Sequence, residues 1–295
     1  GNFTNIGGVA NANYVAKYNL TTGIWSRVGS GISYTGAPYI RTITISPEGT
    51  IFIGGLFTSA GGSSNCKHIA YFDGNNWAPL ATGLNAQVNS IKFANDGKLI
   101  IGGNFTNADG ANGDYICWWD GTAFRSFTDL GAIELNRYVE SLDINPNGTI
   151  IIGGFFWDAG GDPNADAIAA WRGNNWGALM AGGVSDTSEV EVVHCVPNGD
   201  IYVSGYFTRA GNLEVDRVAK SVSGVWQRLD IDLPSAEVPV IGSLEASDGS
   251  LYLGGEFSTS ASGENAISGN TAIDLNVSSG SANTYPFISV AGPGK

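Results

Sequence analysis

The chain has 295 residues; 43 are glycine, 43% are hydrophobic and 14% are charged, with a formal net charge of −13. That hydrophobic share supports a large core and excludes a disordered chain despite the glycine. The acidity repels a phosphate backbone and an anionic bilayer, which argues against nucleic acid as a partner, and no stretch is long and apolar enough for membrane insertion as a helix.

The N-terminus opens on Gly-Asn-Phe-Thr, which reads as half of a motif that returns along the chain. Two short apolar segments follow, at 14–19 and 24–28, and are predicted strands. Then "IFIGGLFTSAGG" (51–62) begins a series continued by "LIIGGNFTNADG" (99–110), "IIIGGFFWDAGG" (150–161), "IYVSGYFTRAGN" (201–212) and "LYLGGEFSTSAS" (251–262). Each is preceded by a glycine turn, at Gly49, Gly97, Gly148, Gly199 and Gly249, so the period is 48 to 51 residues.

Within one period the pattern reads as four strands. In the second, "VNSIKFA" (88–94) alternates, the turn at Gly97 follows, and "LIIGG" (99–103) is a continuous apolar run. After a glycine-rich loop come "YICWWD" (115–120) and "AFRSF" (123–127). Such a unit is one blade of a β-propeller. The expectation is therefore an all-β fold of four-stranded antiparallel blades forming a single domain over 1–295. Full blades start near 40, 88, 139, 190 and 238, and residues 1–30 supply the outer strands of a closing sixth blade. In the last unit, 271–277 and 283–288 are expected to take the third and fourth strand places. The split blade also leads us to expect a fragment of a longer chain.

The repeated residues have structural tasks. The Gly-Gly pair ends the second strand where a side chain would meet the neighbouring blade. The phenylalanines Phe3, Phe57, Phe105, Phe156, Phe207 and Phe257 are predicted to wedge between blades, and Trp25, Trp77, Phe124, Trp176 and Trp226 to cover the outer flank.

This order of features resembles a Kelch-type propeller blade. The finer pattern in "GGLFTSAGG…HIAYFDGNNWAPL" (54–80) is similar to repeats in bacteriophage tail proteins and in secreted or surface proteins of bacteria. The resemblance covers almost the whole chain and speaks for fold more than for function. It implies an extracellular or virion setting, with other virion or surface proteins and host-surface polysaccharide as partners.

Chemistry is sought where the repeat varies. One inner-strand row reads Thr44, Lys92, Asp143, His194, Glu245, polar in every unit, and is expected to ring a central channel. His194 between Asp143 and Glu245 is then a candidate ligand or metal site. Glu140, Asp143, Glu191 and Glu245 are candidate carboxylates for glycoside hydrolysis, which needs two at a fixed separation. The loop "DAGGDPNAD" places Asp158, Asp162 and Asp166 at even spacing, with Ca²⁺ as the candidate cation; turn formation explains the same residues. Trp157 stands where other units carry Thr or Ser and is a candidate platform for a sugar ring.

Nucleophilic chemistry finds little support. The only histidines are His68, expected on the surface, and His194; Cys195 occupies a core position, and no phosphate-loop, dinucleotide or Gly-x-Ser-x-Gly motif occurs. Cys66, Cys117 and Cys195 make an odd count, with one Cys66–Cys117 bridge as the alternative to three thiols. The reading is a non-enzymatic structural or adhesion module without a resident cofactor, which the resemblance places first in a virion tail, as a fibre or baseplate component. A secreted or cell-surface bacterial propeller that binds carbohydrate, a carbohydrate-active hydrolase and an intracellular Kelch-type scaffold are the alternatives.

Overall fold

The computed structural model describes residues 3–34, 37–108, 113–180, 182–184 and 189–229, and beyond these the backbone of four strands. Two compact units divide the chain, Gly1–Val139 and Glu140–Lys295.

The first unit opens with a two-stranded sheet, Ala16–Asn19 paired with Ile24–Arg27. The first four-stranded sheet follows in the order Tyr39–Ile45, Ile51–Leu56, Ile69–Phe72 and Trp77–Pro79. The second repeats it with Val88–Phe93, Leu99–Gly103, Ile116–Trp119 and Phe124–Ser126. Every neighbouring pair in these sheets is antiparallel.

In the second unit, the third sheet is Val139–Ile144 (its first residue closing the first unit), Ile150–Gly154, Ile168–Trp171 and Trp176–Ala178. The fourth is Val190–Cys195, Ile201–Gly205, Val218–Val222 and Val225–Arg228. The fifth departs from chain order. Val240–Glu245 and Leu251–Gly255 are followed in space by Phe287–Ala291, and Ala272–Asp274 lies outermost. This reverses the order expected for the last two strands. The longer segment, Phe-Ile-Ser-Val-Ala, suits a place with strands on both sides, and three residues suffice for an edge.

The turn glycines Gly49, Gly97, Gly148 and Gly199 have φ between +85° and +91°, a region open to glycine at little cost; Gly249 lies outside the described residues. The Gly-Gly pair has two separate causes. A Cβ on Gly54 would lie 2.4 Å from Val88 of the next sheet, as expected. A Cβ on Gly55 would lie 2.2 Å from the Tyr39 carbonyl oxygen, within its own sheet. The same clash recurs for Gly103 with Gln87 and for Gly205 with Glu189.

The second glycine closes a β-bulge. Register shifts between Ile40 and Thr42, between Val190 and Val192, and between Val240 and Gly242, and at the Gly103 end of the second sheet. Its amide donates to a carbonyl just before the third strand: Gly55 to His68, Gly103 to Tyr115, Gly154 to Ala167 and Gly205 to Arg217, each at 3.0 Å. Those four acceptors all have positive φ, from 57° to 64°.

Phe57, Phe105, Phe156 and Phe207 are all at most 1% exposed; Phe3 is only half-buried, and Phe257 lies outside the described residues. The flank aromatics tie neighbouring sheets. Trp77 clusters with Val28 of the strand pair before it, Phe124 with Leu80, and Trp226 with Met180. Among the described residues no helix is long and apolar enough to cross a membrane.

Candidate functional site

The inner strands carry the polar row. Thr44, Lys92 and His194 share one register, paired with Phe52, Ile100 and Tyr202. In the fifth sheet that register belongs to Leu244, paired with Tyr252, whereas Glu245 pairs with Leu251. Glu245 therefore shares the position of Ile45, Phe93 and Cys195 and leaves the expected row. The expected spacing had slipped by one residue, and a slip of one moves a strand residue to the other face. The bulge position reads Arg41, Asn89, Glu191, Ile241 by the same register, not Gly242.

Asp143 and His194 do come together, with 3.7 Å between Asp143 Oδ2 and His194 Nδ1. Asp143 is 7% exposed, and its Oδ2 accepts a hydrogen bond from the Cys195 amide at 2.9 Å. The hydroxyls one register back do the same. Ser141 Oγ accepts from the Val193 amide at 3.0 Å, and Thr42 Oγ1 from the Ile91 amide at 3.2 Å. Inner strands have amides that no ladder partner on that side takes up, and an unsatisfied buried amide is costly. Side chains of the preceding inner strand supply the acceptors, so Asp143, Ser141 and Thr42 each join one inner strand to the next.

The aspartate loop is also built from turn bonds. Asp166 Oδ1 accepts from the Asp158 amide at 2.8 Å; Asp162 accepts from the Asn164 and Ala178 amides at 3.0 and 2.9 Å. The Ala178 and Asn164 amides hold the Asp162 carboxyl below the usual carboxylate range. Asp114 accepts from the Asn107 amide in the matching loop of the second sheet. Among the described residues no three His, Cys, Asp or Glu side chains converge, so Asp158, Asp162 and Asp166 do not form the expected Ca²⁺ cluster.

His68 is buried, 8% exposed, not a surface residue. Its backbone is left-handed (φ 64°) and its Nδ1 lies 3.3 Å from the Gly55 carbonyl oxygen. The positive φ just before the third strand turns the ring inward toward Phe57. Burial lowers its pKa from the ordinary 6.5. Cys66, Cys117 and Cys195 are free thiols, and Cys195 is half-buried against the core of the second unit. Trp157 is 41% exposed and meets Phe155 edge-on, ring centres 5.2 Å apart.

The first unit holds a groove that the sequence did not single out. It lies between the first two sheets and has a volume of about 580 Å³, a size suited to a small organic ligand. Phe52 and Tyr71 enter from the first sheet, Phe93 and Trp119 from the second, and all four are half-buried. Phe52 meets Phe93 edge-on at 5.4 Å and Tyr71 at 5.7 Å. Ser46, Glu48, Thr50, Asp96, Lys98 and Asp120 form the polar lining. Lys98 pairs with Asp96 and lies over the Trp118 ring. Hydrogen bonds from the Thr122 hydroxyl and from the Ala123 and Thr122 amides keep Asp120 ionised far into the acid range.

The groove's aromatics belong to this pair of sheets. In the registers of Phe52 and Tyr71, the third sheet carries Ile151 and Ala170; in those of Phe93 and Trp119, the fourth carries Cys195 and Ser221. This variation was visible in the sequence. What was not visible is that positions about 20 and 40 residues apart converge across two sheets.

Sheets of four antiparallel strands, repeated with one internal grammar, define a β-propeller. Residues 18–197 match the Rax2 C-terminal beta propeller domain, and the chain belongs to that family. No curated protein sequence matches it. Among solved structures it is similar to two extracellular domains from B. thetaiotaomicron. BT4673, assigned as a hybrid two component system, has 12% identity, 84% of this chain and 30% of that chain covered, and a TM-score of 0.53. BT3049 has 12% identity, 83% and 30% covered, and a TM-score of 0.52. Virginiamycin B lyase from Staphylococcus aureus has 14% identity, 72% and 62% covered, and a TM-score of 0.48. The chain thus spans less than two thirds of each of these proteins.

Proposed function

We propose that the chain is a non-enzymatic binding module at an extracellular surface that holds carbohydrate in the groove of its first two sheets. The observation that carries this reading is the convergence of Phe52, Tyr71, Phe93 and Trp119 above a lining of hydroxyls and carboxylates. Aromatic faces take the apolar face of a sugar ring, and ionised carboxylates accept from its hydroxyls. The extracellular setting draws support from the B. thetaiotaomicron domains. The Gly-Gly-x-Phe-Thr pattern adds the surfaces of bacteria and of virion tails, where neighbouring surface proteins are further partners. Hydrolysis is disfavoured because Asp143, the most buried of these candidate carboxylates among the described residues, is committed to the Cys195 amide.

The test is to incubate the purified chain with intact bacterial cells and with extracted surface polysaccharides, following both retention and released sugar. The expected result is retention without release, weakened about tenfold or more by Trp119→Ala or Phe93→Ala, the loss of one good aromatic contact. Released sugar, or retention that neither substitution changes, overturns the reading. Retention on glycan-stripped cells shifts the target to surface protein.

A further inference from the structure

The groove of the first unit is acidic as well as aromatic, and the fold does not require the charge. Its lining carries three carboxylates, Glu48, Asp96 and Asp120, against one ammonium, Lys98. Glu48 and Asp96 each stand just before the glycine of the turn between the first two strands of their sheets; the third and fourth sheets have Asn147 and Asn198 there. Asp96 accepts from the Lys98 amide at 3.2 Å, but Asn147 accepts from the Thr149 amide at 2.9 Å and Asn198 from the Asp200 amide at 2.8 Å. An uncharged amide oxygen therefore does the same turn work. At the turn position of Asp120 the third and fourth sheets carry Arg172 and Ser223. Among the first four sheets, these carboxylates coincide with the pair that holds the aromatic cluster.

The three carboxylates differ in what they already hold. Asp96 pairs with Lys98, and Lys98 is further taken up by the Trp118 ring. Asp120 accepts from the Thr122 hydroxyl and the Thr122 and Ala123 amides through Oδ1, and from Arg125 through Oδ2 at 2.9 Å. Glu48 has no such task. Its turn is closed by Ser46, whose Oγ accepts from the Thr50 amide at 3.2 Å. The exposed Glu48 carboxylate has neither a hydrogen-bond nor a cationic partner among the described residues. One full negative charge thus stands on the exposed side of a groove lined by four aromatic rings.

We propose that the groove selects sugars bearing a free ammonium group, of the glucosamine type, over neutral and acidic sugars. This rests on the carbohydrate reading above and adds the charge of the ligand to it. An ammonium is attracted both by a carboxylate and by the faces of aromatic rings. A pyranose ring holds its ammonium and its apolar face rigidly together, whereas a lysine side chain must be ordered on binding. A uronic acid or a phosphorylated glycan meets Glu48, Asp96 and Asp120 with like charge and is repelled. The net charge of −13 acts in the same direction at longer range.

The probes are a β-linked glucosamine trimer, its N-acetylated counterpart, a galacturonic acid trimer and trilysine. Each is titrated into the full chain by calorimetry in low-salt, mildly acidic buffer, where the amine is protonated. The glucosamine trimer should bind about tenfold tighter than the N-acetylated trimer. The galacturonic acid trimer and trilysine should bind more weakly than either, and added salt should narrow the preference. Glu48→Gln removes the unpaired charge, and Asp96→Asn, a residue that the turn accepts in two other sheets, frees Lys98 to oppose an ammonium. Together they should keep the Tm and reduce the preference to about twofold or less. Equal affinity for the glucosamine and N-acetylated trimers overturns this inference and leaves the carbohydrate reading standing. So does tighter binding of the galacturonic acid trimer, trilysine binding as tight as that of the glucosamine trimer, or a preference that the double substitution does not change. Binding of none of the sugar trimers overturns the carbohydrate reading, and this inference with it.

Discussion

Asp143 Oδ2 accepts a hydrogen bond from the backbone amide of Cys195 at 2.9 Å, joining one inner strand to the next. Asp143→Ala removes a side-chain acceptor from this amide and should cost about 1–3 kcal/mol in urea unfolding. Asp143→Asn retains an acceptor and should cost less. Full stability of Asp143→Ala together with lost ligand retention would move Asp143 from the scaffold to the site.

The second glycine of each Gly-Gly pair should resist substitution. Gly205→Ala would place a Cβ 2.1 Å from the Glu189 carbonyl oxygen, and relieving that clash should cost about 1–3 kcal/mol. Gly177→Ala is the control, because its nearest neighbour would be an ordinary 3.5 Å away. Thermal unfolding of the two variants separates the cases; equal Tm values would refute the bulge argument.

His68 gives a pH signature. Burial lowers its folded pKa below 6.5, so between the two values the unfolded chain binds more protons than the folded one. Stability from this group is therefore complete above about pH 6.5 and declines as pH falls below it, by at most about 1.4 kcal/mol per pH unit. Asn also tolerates the left-handed backbone, so His68→Asn should fold and flatten the wild-type decline between pH 7.5 and 5.5. An unchanged decline would assign it to other groups.

The wedge phenylalanines should dominate core energetics. Phe105 is 0% exposed, and Phe105→Ala should cost about 3–5 kcal/mol. Trp157→Ala, at an exposed position, should leave both stability and polysaccharide retention near wild type if the groove is the binding site. Loss of retention would relocate the site to that loop.

The propeller class was legible because one sentence of residues is written repeatedly, and each copy corrects the reading of the others. The buried phenylalanines and the Val88-facing glycine followed directly from that repetition. Legibility failed where only one copy carries the information. Glu245 falls out of the polar row because it stands four residues before Gly249, whereas Thr44, Lys92, Asp143 and His194 stand five before their turn glycines. The exchange of 272–274 and 287–291 depends on which segment pairs better with Leu251–Gly255, a tertiary competition. His68 was misplaced because the left-handed backbone before the third strand is shared by His, Tyr, Ala and Arg and has no residue signature. Phe52, Tyr71, Phe93 and Trp119 lie in different strands, and only the packing of two sheets brings them into one groove.

The repeated β-bulge has a consequence for how such a chain can change. The bulged residue is outside the ladder count, so replacing Arg41, Asn89 or Glu191 leaves every paired register untouched. Asn89 uses that freedom to reach Asn104 and the Val139 carbonyl, while Tyr39 reaches Gln87 beside it. Asn89, 5% exposed, is tied down by those bonds, whereas at Arg41, exposed, and Glu191, half-buried, charge and size can be exchanged at little risk to folding. A combinatorial library restricted to these positions would alter recognition while the glycine, phenylalanine and tryptophan framework stayed constant.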